Sequence, residues 1–331
     1  MAAAPLSARV ASSRGPTRLV AASDFYVLGV MMLLSAVAAV GSARLRDLVA
    51  TTVSAAAFRM SRRKRRGCEA TLARAFGPRL RARRRRAIVR GAFDVFWRDT
   101  FSQLPLRGGP EGPLAPIVGV EHLRTALAGG RGAILWVSNN WAGMTTLKRS
   151  LHAHGFAVHK VHSEHHVGGF PGFGETWVQQ RVITPFFDRY ERTIVAGIVT
   201  IRPGSLAFGR DLAARLRANE IVCIAADGRI GRRFIPHRFV GIDEAFPTGA
   251  VTLARTSGAP LLPIFCLRGP GRAARVVIEP PIPPPAEGDR EQGTRAAISR
   301  YVERLERRAR RHPSSYVNWH LVGTRLPPAT D

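Results

Sequence analysis

From residue 133 onward, short apolar and β-branched runs alternate with stretches of helical periodicity. Candidate strands fall at 133–137, 157–161, 195–201, 221–225, 234–236, 261–267 and 275–279. Candidate helices fall at 121–128, 144–154, 175–187, 205–218, 249–257 and 292–311. Parallel neighbours need a long crossover, and helices are the usual crossover. The alternation therefore predicts an α/β domain, a largely parallel central sheet flanked by helices on both faces. Ile134-Leu135-Trp136-Val137 and Ile221-Val222-Cys223-Ile224 are continuously apolar, as strands buried on both sides are. The run at 157–161 alternates and reads as an edge or half-buried strand. Ser205 and Thr248 stand where helix N-caps are expected.

The amino-terminal third has a different character. Residues 1–23 read as a disordered leader, 24–105 as an apolar and basic helical module, and 117–325 as the α/β domain. The Gly/Pro-rich stretch at 106–116 marks the boundary. Phe25 to Ala43 carries no charge over 19 residues, long enough to cross a hydrocarbon core of roughly 30 Å. It reads as an uncleaved membrane anchor or an interfacially embedded helix. Gly41-Ser42-Ala43 also resembles a signal-peptide cleavage site, an alternative that the basic segment after it disfavours. Basic residues flank the run on both sides, so charge assigns no orientation. Residues 59–90 hold 14 Lys and Arg against the single acid Glu69. Apolar positions recur through this stretch at helical spacing, with Gly77-Pro78 as a break, which predicts two helices with basic outer faces.

The net charge of +27 makes the chain attractive to anionic lipid headgroups, acidic carrier proteins and phosphate-bearing donors. A nucleic-acid binder would need stacking aromatics on the basic face, whereas Phe93, Phe96 and Trp97 are spaced as a core face. Three cysteines (Cys68, Cys223 and Cys266) without short spacing exclude a disulfide framework and a cysteine zinc site, and fit a reducing compartment. His159, His162, His165 and His166 crowd one stretch, but no spacing among them is diagnostic of a metal. The Gly-rich segment 169–174 follows no strand, so it does not read as a dinucleotide loop; it would suit a lid over an acyl chain.

The segment IVCIAADGRIGRRFIPHRFVGIDEAFPTGAVTLARTSGAPLLPIF (221–265) and the tail HPSSYVNWH (312–320) resemble the bacterial lipid A late (lauroyl/myristoyl-type) acyltransferases, part of the lysophospholipid acyltransferase superfamily. The resemblance implies acyl transfer at the cytoplasmic face of a bacterial inner membrane, without cofactor or metal. The donor would be acyl-CoA or acyl carrier protein, and the acceptor a hydroxyl of a glycolipid or lysophospholipid. Anionic membrane lipids would be partners, and no nucleic acid would be. In that family a His at a strand end deprotonates the acceptor, and a Glu five positions on orients it. Those two positions are Asn140 and Thr145 in this chain.

An amide cannot take up a proton at neutral pH. Three readings follow: an inactive relative, transfer by positioning and oxyanion stabilisation alone, or a relocated base. His159 with Glu164 has the literal dyad spacing one strand later, and His162 lies between them. The resemblance also points to substrate-binding roles for Asp227 and Arg229 in the turn after 221–225. Arg202 would suit a phosphate or carboxylate, and Thr248 with Gly249 would form the turn that brings a helix to the site. Each has a plainer alternative: an Asp-Gly turn for Asp227, and one more surface cation for each arginine.

Overall fold

The computed structural model describes residues 18–40, 43–102, 114–163, 176–201, 207–228, 231, 233–268, 274–283 and 290–324. Four helices lead: α1 (Ala22–Val40), α2 (Ala43–Met60), α3 (Arg62–Phe76) and α4 (Ala82–Ser102). A 3-10 turn, Gly77–Arg79, separates α3 from α4 where Gly77-Pro78 predicts a break. The α/β part runs β1 (Ile117–Val118), α5 (Val120–Ala128), β2 (Ala133–Val137), α6 (Met144–Ala153), β3 (Val158–Ser163), α7 (Thr184–Glu191), β4 (Gly197–Ile201), α8 (Ala207–Arg217) and β5 (Ile221–Ala225). It continues with β6 (Phe234–Phe239), β7 (Ile242–Pro247), α9 (Gly249–Ser257), β8 (Leu261–Arg268), β9 (Ala274–Ile278) and α10 (Arg290–Arg311).

Among the described residues the main sheet has seven strands in the order β1-β9-β8-β2-β5-β3-β4. The run from β8 to β4 is parallel; β9 lies antiparallel to β8, and β1 parallel to β9. The expected α/β architecture with a mostly parallel sheet is therefore observed. Every residue of β2 is buried, which explains its unbroken apolar sequence. Alternate residues feed two cores. Ile134, Trp136, Val222 and Phe265 pack with Leu253 of α9, Tyr301 of α10 and Phe93 and Trp97 of α4. Leu135, Val137, Cys223 and Cys266 pack with Leu123 of α5 and Leu147 and Leu151 of α6.

The structure modifies several expectations. The run at 157–161 is not an edge, since β4 pairs along its far side, but it is half-buried as the alternation allows. The run at 234–236 extends to Phe239 and forms a separate antiparallel hairpin with β7, a strand absent from the predicted set. Its turn, Val240-Gly241, holds φ of 49° and 80°. Val-Gly is not a usual hairpin signature, and Asp243 and Glu244 obscure the apolar pattern of β7. The helix expected over 175–187 is present from residue 177 to Glu191, but it contains a π-helical turn, Gln179–Ile183, before α7. Pro185 has no N–H to donate, and the Thr184 hydroxyl takes up the Gln179 carbonyl (2.8 Å). Thr248 does precede α9, but its side chain caps nothing there; its Oγ1 reaches the Arg233 carbonyl (3.4 Å). The Ser205 cap, residues 1–17 of the leader and the stretch 169–174 lie outside the described residues.

Within the uncharged run at 25–43, α1 is described to Val40 and α2 from Ala43, and residues 41–42 lie outside the described residues. No helix of the described residues is long and apolar enough to cross a membrane. Asp24 in the first turn of α1 is fully buried. Its carboxylate accepts from the Thr176 hydroxyl (2.7 Å), Gln179 Nε2 (2.5 Å) and the Ala21 N–H (2.8 Å). Val27 and Met31 pack on Ile183 next to it. One side of α1 is thus tied to protein, and the other leaves Phe25 and Met32 more than two-thirds exposed.

Candidate functional site

β2 and β5 run side by side in parallel, Val137 opposite Ala225, and the Ala226 N–H donates to the Val137 carbonyl (2.7 Å). The residues leaving the two strands therefore emerge together at the carboxyl end of the sheet, where ligand sites of open α/β sheets form. Asp227 leaves β5 and Ser138-Asn139-Asn140 leave β2. Asp227 Oδ2 accepts from the Ser138 hydroxyl (2.5 Å), Asn140 Nδ2 (2.9 Å) and the Asn140 N–H (3.3 Å). Its Oδ1 accepts from the Asn139 N–H (2.6 Å). Both carboxylate oxygens are thus engaged as acceptors by the turn that leaves β2.

The tail closes the far side of the turn. Asn140 Nδ2 also donates to the Tyr316 hydroxyl (3.2 Å). The Val317 N–H donates to the Asn140 carbonyl (2.8 Å), and the Ala142 N–H to the Ser315 carbonyl (2.9 Å). Ser138, Asn140, Asp227 and Tyr316 are all buried, whereas Asn139 is exposed. The Asn140 side-chain nitrogen faces Asp227 and donates to it. The amide oxygen is left as an acceptor, suited to holding a hydroxyl.

Gly143 follows at φ +89°, and a Cβ there would meet Cys266 Sγ at 2.5 Å. Only glycine allows this left-handed turn so close to β8. α6 then begins at Met144, and the backbones of Gly143 and Thr146 hydrogen-bond the carboxyl of Asp99, which reaches over from α4. Burial raises the Asp99 pKa, against the pull of Arg268 and Lys148. The dyad-position Thr145 is buried in the first turn of α6. The hydrogen bonds of the Asn140 amide run to Asp227 and Tyr316 rather than to Thr145.

His159 lies elsewhere. It pairs in register with Val222, itself opposite Ile134, three residues short of the strand end and two strands away from β2. Its ring contacts Arg215 (2.9 Å) and Glu220 (2.9 Å), and burial followed by Arg215 lowers its pKa. The structure does not bring His159 to Asn140. His162 is nearer the carboxyl end of β3, opposite Thr200 of β4. Glu164, Arg202 and Arg229 lie outside the described residues. Thr248 and Gly249 stand at the junction of β7 and α9. Beneath α6, Lys148 and Lys160 both form ion pairs with Glu191. Burial, then Lys148, brings Lys160 down to about 7. Among the described residues no group of His, Cys, Asp and Glu could hold a metal ion, and the three cysteines are free and buried.

Sequence reasoning singled out Asn140 and Asp227 separately but not their contact, and it missed Ser138, Tyr316 and Asp99. Tyr316 stands within the quoted tail motif, which offered a signal. Asp99 had none, because only packing brings α4 to α6.

Residues 207–321 match the family model described as bacterial lipid A biosynthesis acyltransferase. A phosphatidylinositol mannoside acyltransferase of Mycobacterium tuberculosis (strain H37Rv) is 28% identical over 211 residues, covering 62% of this chain. That alignment spans only 58% of the relative's length. The protein of the same description from Mycolicibacterium smegmatis is 25% identical over 233 residues, covering 69% of this chain and 67% of the relative. Among solved structures, the 1-acyl-sn-glycerophosphate acyltransferase PlsC of Thermotoga maritima aligns with a TM-score of 0.38 at 16% identity, over 81% of this chain and 97% of that one. The chain is thus similar over residues 207–321 to the bacterial lipid A biosynthesis acyltransferases, and over the longer alignments to these mycobacterial acyltransferases.

Proposed function

We propose that this protein is a membrane-associated acyltransferase that moves a fatty acyl chain from acyl-CoA or acyl carrier protein to a hydroxyl of a glycolipid or lysophospholipid. The observation that carries the proposal is the Asn140 amide, held at the carboxyl ends of β2 and β5 by the Asp227 carboxylate (2.9 Å). In the step proposed, the acceptor oxygen attacks the thioester carbonyl, a C–O bond forms, the C–S bond breaks, and the acceptor proton ends on the departing thiol. Asn140 positions the hydroxyl through its amide oxygen but takes no proton. The work falls on proximity, a reactive thioester and helix N–H donors for the oxyanion. In this reading Arg202, Asp227, Arg229, Thr248 and Gly249 surround the substrate, and His162 is the candidate that could still supply a base.

For location we propose the cytoplasmic face of a bacterial inner membrane. The exposed Phe25, Met32 and Leu33 of α1, with Trp177 before the π-helical turn and Val182 within it, offer an apolar surface. The Arg-rich α3 and α4 offer a basic one. Together they suit a helical module embedded in an anionic interface, at about 1 kcal/mol per basic residue near the surface. The same relatives bring a mannosylated phosphatidylinositol into the acceptor class to be tested.

The absence of a proton acceptor at position 140 favours one other reading, a non-catalytic relative that binds acyl donor or lipid. An assay of the detergent-solubilised full chain with radiolabelled palmitoyl-CoA, palmitoylated carrier protein, and mannosylated phosphatidylinositol or lysophospholipid separates the two. Transfer of label to lipid is the expected result. Donor binding without transfer from either donor would overturn the enzyme reading and leave the binding one.

A further inference from the structure

A cavity of about 360 Å³ opens between α4 and the segment that follows α10, lined by Arg84, Asp94, Arg98, Arg268, Arg311 and His312 among others. Its charge is lopsided. Arg98 is already neutralised, with Asp47 at 2.7 Å and Asp94 at 3.0 Å. Arg268 faces the buried carboxyl of Asp99. Arg84 and Arg311 make no ion pair among the described residues, and both are exposed at the rim. Among the described residues lining the cavity, the only acid, Asp94, is thus the one committed to Arg98. The His312 imidazole registers the same field: burial and then Arg275, Arg308 and Arg311 lower its pKa. A concave, low-dielectric site of one sign concentrates counter-ions, and planar guanidinium groups suit phosphate oxygens.

The cavity also adjoins the acyl-transfer turn. Ser315, in its wall, accepts the Ala142 N–H through its carbonyl (2.9 Å). The next residue, Tyr316, holds Asn140 (3.2 Å). Arg268 ends β8, whose Cys266 packs under Gly143. A phosphate in this cavity would therefore stand on the α4 side of Asn140, held jointly by the amino-terminal module and the α/β part.

We infer that the cavity between α4 and residues 311–315 is a phosphate-binding site, with Arg84 and Arg311 as its ligands. Two molecules could bring the phosphate, a coenzyme A-type donor or an anionic lipid headgroup. Only that choice of sources rests on the acyl-transfer reading; the binding of phosphate does not.

The test is isothermal titration of the detergent-solubilised full chain with coenzyme A in one arm and dioctanoyl phosphatidylinositol in the other. The variants are Arg84→Gln/Arg311→Gln and, as a control for general basicity, Arg62→Gln/Arg63→Gln on α3. All four side chains are exposed, so unchanged melting curves are expected. The cavity variant should lose about 10-fold in affinity in at least one arm, the control less than about 2-fold, and Arg84→Lys/Arg311→Lys should recover part of the loss. A loss confined to coenzyme A names the donor as the source, and one confined to the lipid names the headgroup. Unchanged affinity in both arms, or an equal loss in the control, overturns the inference even if acyl transfer is intact. Arg-dependent binding in a protein that transfers no acyl chain would sustain the site while the enzyme reading failed.

Discussion

Replacing Asp227 by alanine removes the acceptor around which the site turn is organised, and the cost can be worked out donor by donor. Four donors converge on the carboxylate at 2.5, 2.6, 2.9 and 3.3 Å, but they would not all be stranded. The Ser138 hydroxyl can rotate. The Asn140 N–H keeps the Ser138 oxygen at 3.2 Å, and Asn140 Nδ2 keeps the Tyr316 hydroxyl at 3.2 Å. Asn139 is exposed, so water can reach its N–H. What remains is about two charge-assisted bonds in a buried place, a loss of about 2–4 kcal/mol. In a chain of 331 residues this lowers the melting temperature by about 3–6 °C. Differential scanning fluorimetry of wild type and Asp227→Ala in the same detergent measures the shift, and acyl transfer should fall with it because the amide is no longer oriented. A shift below about 1 °C would refute the view that Asp227 organises the turn.

Two further outcomes are expected. Asn140→His should let one ring nitrogen donate to Asp227 and offer the other to the acceptor hydroxyl. A general base is worth about 10²–10⁴ in rate, against an overpacking cost of about 1–3 kcal/mol beside Tyr316. Turnover should rise about 100-fold, and a folded variant no faster than wild type would place the chemistry elsewhere. Lys160, brought from 10.5 to about 7 by burial and Lys148, binds fewer protons in the folded than in the unfolded chain between those values. Stability should therefore climb as pH rises from 7, and be lost as pH falls through about 7, with a slope of at most about 1.4 kcal/mol per pH unit. The window closes near pH 9, where the buried thiols, pushed up to about 11 and 12, begin to act in the opposite sense. Urea midpoints at pH 7, 8 and 8.5 should rise less steeply in Lys160→Met than in wild type; parallel slopes would refute the assignment.

The α/β fold was readable because its signals are local. Continuous apolar runs such as 133–137 and 221–225 must be buried on both faces, and the helical patterns between them leave few topologies besides a parallel sheet. The break at Gly77-Pro78 was readable for the same reason. The hairpin at 234–247 was half hidden, since its turn uses Val240-Gly241 and its second strand carries acids whose burial depends on distant donors, as Glu244 does on the Gly323 N–H (2.7 Å). At the start of the apolar run at 25–43, the burial of Asp24 against Thr176 and Gln179 was not readable, since it depends on residues 152 and 155 positions away in the chain.

At the site the chain alone determined which residue types are present, with an amide where a proton acceptor was expected, an Asp after the apolar run at 221–225 and arginine in excess. It could not determine which of them meet. His159 and Glu164 have the right spacing along the chain, yet strand register carries His159 away from the turn, while Asp227, 87 positions after Asn140, is brought into contact with it. Hydrogen bonds and ion pairs act over a few ångströms of space, and proximity between strands 2 and 5, or between α4 and α6, exists only once the sheet and its covering helices have packed.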